Sequence, residues 1–257
     1  MREFVAPKVP AVLLFFWVTK LLTTGIGEAA ADLMAGKSVV LAGGVGVIGF
    51  ALALTWQWRS DSYHPIRYWV AVLMVAVFGT SVADGPHKIL GMPYWMTTAG
   101  CFLALLIVLA WWYRSEGTLS VHSILNARRE AYYWLTVLLT FGLGTALGDL
   151  TASTLHLGYG GSILLFAGAI LVPLVAWRAG VNSVACFWTA YVLTRPLGAS
   201  VADWLGKDPS KTGLGWGDGT VTAIGLVLFA ALVAYAAVTH SDEDHLAMHA
   251  ELAPASR

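Results

Sequence analysis

The sequence predicts an all-α polytopic membrane bundle, with eight transmembrane helices arranged as four parallel two-helix repeats around a pseudo-symmetry axis. Three observations predict it: a composition too apolar for a soluble domain, eight apolar stretches of membrane-crossing length, and a Trp-to-Asp spacing that recurs in four places.

Of the 257 residues, 58% are hydrophobic and 12% are charged, against about 45–50% and about 25% in soluble domains. Mean hydropathy is +0.70. So few charges cannot cover the surface of a soluble fold of this length, which argues against a cytosolic enzyme, a nucleic-acid binder or a disordered chain. With 15 basic and 15 acidic residues the net charge is zero, so no polyanionic partner is indicated. The expected partner is the lipid bilayer, and nothing in the sequence speaks to oligomeric state. Cys101 and Cys186 lie inside apolar runs, so neither a disulfide framework nor a zinc site is indicated.

Apolar stretches of roughly 17–25 residues cover approximately 11–34, 39–58, 68–84, 92–113, 132–150, 159–177, 184–205 and 217–238. They form one membrane domain over 1–257, with repeats at about 11–58, 66–113, 131–178 and 183–240 and a solvated cytoplasmic tail at 241–257. The first stretch follows Arg2 and Lys8, but no small-residue cleavage site ends it, so it reads as a retained span rather than a signal peptide. Eight spans leave both termini on one side. Loops there hold Arg59, Arg67, Arg114, Arg128, Arg129 and Arg178, whereas the opposite side holds Lys37, Lys88, Lys207 and Lys211. The positive-inside rule therefore puts the termini in the cytoplasm. Trp17, Trp56, Trp58, Trp69, Trp111, Trp112, Trp134, Trp177 and Trp188 cluster toward the same side, and an interfacial aromatic belt accounts for most of them.

The internal repeat is gapless. Trp17 and Asp32, Trp69 and Asp84, Trp134 and Asp149, and Trp188 and Asp203 are each separated by fourteen residues. The segments ending at these aspartates read TTGIGEAAAD, VAVFGTSVAD, TFGLGTALGD and TRPLGASVAD. Each has Gly five residues before the Asp, and Ala or Gly immediately before it. Each copy is an odd-numbered helix followed by a return helix, so the chain reads as four hairpins inserted the same way up. This arrangement resembles the bacterial membrane-protein family built from four tandem two-helix repeats of unknown function with a recurring tryptophan. The resemblance runs from about Ala11 to Val238 and implies the architecture and a bacterial inner-membrane location, but no activity.

Counting from the tryptophan as position 0, positions 10 and 14 pair Gly27 with Ala31, Gly79 with Ala83, Gly144 with Gly148, and Gly198 with Ala202. Such small-xxx-small pairs let helices approach closely in lipid, so the four glycines are assigned to helix packing. Positions 3, 7, 11 and 15 share the neighbouring stripe. It reads Lys20, Thr24, Glu28, Asp32 in the first repeat and Val72, Ala76, Thr80, Asp84 in the second. The third gives Val137, Phe141, Thr145, Asp149 and the fourth Tyr191, Arg195, Ala199, Asp203. At about 1.5 Å per residue each Asp lies about 22 Å beyond its Trp.

An ionisable side chain at bilayer depth costs on the order of 2.5–3.5 kcal/mol. Lys20, Glu28, Asp32, Asp84, Asp149, Arg195 and Asp203 must therefore be paired, protonated or hydrated. Lys20 and Arg195 can neutralise at most two of the five acids, and an Asp near a helix C-terminus opposes the macrodipole. Two readings follow. The acids staple neighbouring backbone, or Asp32, Asp84, Asp149 and Asp203, with Glu28, bind a cation or protons. All-oxygen ligation favours Mn²⁺, Mg²⁺ or Ca²⁺ as the metal. Glu28 and Arg195 are expected to pair where repeats 1 and 4 meet, as a gate or as a plain salt bridge. Gly25, Gly142 and Pro196, at position 8, are candidate helix breaks that would expose carbonyls.

Other signals are weaker. His87, in a GPHK turn, and His156 lie on the outer side, where single histidines carry little information. His240, Asp242, Glu243, Asp244, His245 and His249 contain metal-ligand types but read as a solvated tail. The loop GLGWGDG lacks a P-loop lysine. No nucleophile–base motif is present and no cofactor is implied, so the expectation is a protein that is not an enzyme. The leading expectation is a transporter or channel-like carrier of a small cation, either a divalent metal or a proton-coupled one, with Arg195 and Lys20 setting gating and field. The alternative is a non-transporting scaffold or sensor in which the same acids are structural.

Overall fold

Local sequence sets most of the helix ends. In the computed structural model, which describes residues 7–242, the long helices are α1 Leu14–Ala35, α2 Val39–Trp58, α3 Pro65–Leu90, α4 Tyr94–Glu116, α5 Ala127–Asp149, α6 Gly158–Arg178, α7 Ser183–Gly206 and α8 Asp218–Thr239. Ser38, Asn126 and Asn182 cap α2, α5 and α7 by accepting from backbone N–H groups of the first turn. Pro65 opens α3. Gly91 and Gly117 close α3 and α4 in the left-handed region, which costs glycine nothing.

Six helices, α2 to α6 and α8, are long and apolar enough to cross a membrane. The other two, α1 and α7, carry the Lys20, Glu28, Asp32, Arg195 and Asp203 charges and lie inside the assembly. The fold is that of an all-helical membrane protein, with no strand among the described residues.

The odd helices form a closed inner ring, α1 to α3 to α5 to α7 and back to α1, while the even helices stand outside with most of their surface exposed. The ring is built by one contact used four times. Position 10 of each odd helix rests on position 7 of the next: Gly27 on Ala76, Gly79 on Phe141, Gly144 on Arg195, and Gly198 on Thr24. In each case an added Cβ would overlap its neighbour. At Gly198 it would also come within 2.9 Å of the Leu21 carbonyl.

Four sequence expectations are corrected. The hairpin is not the packing unit. α2, α4 and α6 pack chiefly on α3, α5 and α7, the odd helices of the following repeats, and α8 returns to α1. Three of the four repeat tryptophans do not form an interfacial belt. Trp69, Trp134 and Trp188 are buried and join Phe16, Tyr68, Tyr133, Phe187 and Tyr191 in an aromatic layer near the end of the ring that carries the termini. Trp112 is buried too, stacked on Tyr132, whereas Trp56, Trp58, Trp111 and Trp177 are exposed and fit the belt. GPHK is no turn, since α3 continues through Pro86 to Leu90. Nor do Gly25, Gly142 and Pro196 break α1, α5 and α7, which run through them.

The tail is only partly described. His245, His249 and the residues around them lie outside the described part. Asp242, expected to be solvated, is fully buried. Its backbone carbonyl accepts from Ala11 N at 2.8 Å, and its carboxylate accepts from the Tyr63 hydroxyl and the Trp69 indole. Nearby, Lys8 pairs with Glu130 at 2.6 Å, both about 1% exposed. These contacts close the ring at the terminal side.

If the position-10 contact sets ring closure, Gly198→Ala should cost about 1–3 kcal/mol by overpacking and lower the unfolding temperature in detergent. Gly100→Ala, where an added Cβ meets nothing, should leave it unchanged or raise it.

Candidate functional site: an acid-lined vestibule on the ring axis

The polar stripe of each odd helix faces the ring axis, and its residues stack in layers. Nearest the aromatic layer, Lys20 is buried and donates to the Tyr191 carbonyl at 3.0 Å and the Thr194 hydroxyl at 2.6 Å, with its ammonium 3.8 Å from the Tyr191 ring centroid. It reaches no acid, contrary to the expectation that it neutralises one. A carbonyl, a hydroxyl and a π face contact the amine instead.

One layer further out, Arg195 is 0% exposed. Its stem lies on Gly144 and its guanidinium crosses the axis. One terminal nitrogen donates to the Thr24 carbonyl at 3.0 Å. The other, with two hydrogens to give, lies within hydrogen-bonding distance of Glu28 at 2.8 Å, of Thr80, and of Thr145 at 2.8 Å. Thr80 and Thr145 also donate to Glu28, at 3.1 and 3.3 Å. Glu28, Thr80 and Thr145 are position 11 of repeats 1, 2 and 3. In repeat 4 that position is Ala199, and the polar group this repeat contributes to the layer is Arg195, from position 7. The departures from fourfold symmetry thus form one interlocked cluster, and the axis holds no open pore at this level.

Beyond the cluster the ring opens into a cavity of about 730 Å³. All four repeat aspartates, Asp32, Asp84, Asp149 and Asp203, line it. One carboxylate oxygen each of Glu28, Asp32 and Asp84 lies within 4.8 Å of the others.

The compensation for these acids comes from lysines that sequence reasoning assigned to loops. Lys88 bridges Asp84 at 2.6 Å and Asp32 at 3.0 Å. Lys207 bridges Asp32 at 2.7 Å and Asp218 at 2.9 Å, with Asp203 at 3.7 Å. Spacing carried a signal for both, because Lys88 and Lys207 stand four residues after Asp84 and Asp203. The continuation of α3 through Pro86 brings Lys88 onto the Asp84 face. Lys207 lies beyond α7. Burial opposes its charge, but Asp32 and Asp203 outweigh that and raise its pKa above the ordinary lysine range. The ammonium stays charged at any physiological pH.

Asp218, at the start of α8, is a wall residue that sequence reasoning missed, as are Lys211, Tyr94 and Tyr159. His156 reaches the rim; His87 instead stacks on Tyr94 and bonds the Met92 carbonyl. Among the ring aspartates Asp149 alone has no base within ion-pair distance, though it lies within hydrogen-bonding reach of Asp84. It is the last residue of α5 and runs straight into the π-helical turn Leu150–Thr154, a local geometry frequent at functional sites. One oxygen each of Asp84 and Asp203 is buried without a hydrogen bond, although buried carboxylate oxygens are normally satisfied.

Removing one member of the buried pair should be far worse than removing both. Glu28→Ala is expected to cost about 3–5 kcal/mol because it strands the Arg195 charge, and Glu28→Ala with Arg195→Met should recover much of that. Thermal unfolding of the three proteins in detergent checks this; a double variant no better than the single would contradict it.

A profile described as a Repeat of Unknown Function (DUF347) matches residues 67–118, 132–179 and 186–242. Those are the second, third and fourth copies of the repeat. No curated protein and no solved structure matches the chain. The profile covers more than half of the chain and falls on the units that form the ring, so this protein belongs to the Repeat of Unknown Function (DUF347) family.

Proposed function

We propose that the protein is a carrier for a small cation, with Asp32, Asp84, Asp149 and Asp203, aided by Glu28, as ligands or proton carriers. One observation supports this above the others: acids from four separate helices line a single cavity. Acids held at membrane depth are expensive and commonly mark an ion or proton path. The closed axis favours a carrier over a channel, because Arg195 with Glu28 blocks one level and the aromatic layer blocks the next. The arginine-rich terminal side faces the cytoplasm in this reading, in a bacterial inner membrane, and the vestibule faces outward.

The lysine bridges favour the second reading, a scaffold or sensor. Lys88 and Lys207 tie α1, α3 and α8 together, which is what a structural staple would do. Asp149 separates the two readings because its replacement breaks no ion pair. Asp149→Asn should fold and elute as the wild type does, yet lose at least tenfold of divalent-cation or proton flux in proteoliposomes. Folded Asp149→Asn with undiminished flux, or a wild type that carries no cation, would favour the scaffold.

A further inference from the structure

The position of Lys207 is built with unusual care for a loop lysine. The segment after α7 is strapped back onto the helix end, with Leu214 N donating to the Trp204 carbonyl at 2.6 Å, Gly215 N to that of Lys207 at 2.8 Å and Gly217 N to that of Gly206 at 3.0 Å. Gly213 sits so close to the Lys207 carbonyl that an added Cβ would overlap it. The backbone is thereby fixed, while the four-carbon stem stays flexible. Its ammonium enters the vestibule and meets carboxylates from three helices: Asp32 of α1, Asp203 of α7 and Asp218 of α8.

These carboxylates are not saturated. Asp203 is 6% exposed and its Oδ1 has no hydrogen bond; its nearest cation is this ammonium, at 3.7 Å. Asp84, also 6% exposed, lines the same cavity and likewise has an Oδ1 that accepts no hydrogen bond from a base or a backbone N–H. Oxygen ligands thus surround a charge that a single ammonium only partly satisfies. A hard divalent ion takes six or more oxygens and gains from each added carboxylate.

We propose that the vestibule binds a hard divalent cation by displacing the Lys207 ammonium, which occupies the site as a tethered surrogate when no cation is bound. The inference rests on the cation-carrier reading and specifies how that site is regulated. Without a surrogate, an empty site would leave Asp203 and Asp218 unpaired and Asp32 held by Lys88 alone. With it, the empty carrier is charge-compensated, and an entering cation must outcompete an internal one. Lys207 therefore sets affinity and selects for higher charge.

Mn²⁺ serves as the probe, its free concentration read by electron paramagnetic resonance with purified protein in detergent. Lys207→Gln should bind Mn²⁺ at least tenfold more tightly than the wild type. In the wild type, acetylation of the Lys207 amine, read by mass spectrometry, should rise with Mn²⁺ and saturate at the binding midpoint. This second readout needs no variant to fold. Wild-type binding of Mn²⁺ with unchanged or reduced Lys207 labelling, or weaker binding by Lys207→Gln, overturns the surrogate but leaves the carrier reading intact. No binding of Mn²⁺ by either protein overturns the surrogate and the divalent-cation form of the carrier, and absence of proton flux in proteoliposomes as well would overturn the carrier reading itself.

Discussion

The Arg195 guanidinium lies on the axis of the ring, and protein contacts it on every side. Its stem rests on Gly144, its charge on Glu28, and its terminal nitrogens also contact Thr24, Thr80 and Thr145, so one side chain of α7 touches α1, α3 and α5. A charge this deep is tolerable only with its partners in place, which makes ring closure and charge compensation one constraint. The same cluster fills the axis one layer in from the aspartates that line the vestibule.

The small residues and the charges act together in this design. Close helix contact at position 10 brings the polar stripes within hydrogen-bonding distance across the axis. With larger residues there, Glu28 and Arg195 would sit in separate helix interfaces and neither could be satisfied. The outer helices contribute few charges and much exposed apolar surface, as helices facing lipid do. Each clamps the odd helix of the next repeat, so the ring is interlocked in sequence order rather than assembled from self-contained hairpins.

The four aspartates, the glycines and the Glu28–Arg195 pair were legible because each rests on a fixed residue spacing or an unavoidable charge cost. The fold class and the approximate spans were legible from hydropathy. Other features were hidden because they depend on which helix meets which. Lys88 and Lys207 looked like loop charges until α3 continued through Pro86 and the loop after α7 folded back. Trp69, Trp134 and Trp188 matched a belt in sequence, yet the ring turns them inward. Lys8, Glu130 and Asp242 are buried through contacts between distant segments, which no periodicity encodes.

The central claim is that the aspartates converging at the ring's open end form a cation site, and locating an ion tests it most directly. Crystals grown with Mn²⁺ and recorded at the manganese absorption edge should give an anomalous peak in the vestibule, among the carboxylates of Asp32, Asp203 and Asp218, with the Lys207 side chain moved away. An ordered vestibule without a peak at saturating Mn²⁺, its lysine bridges intact, would contradict the account.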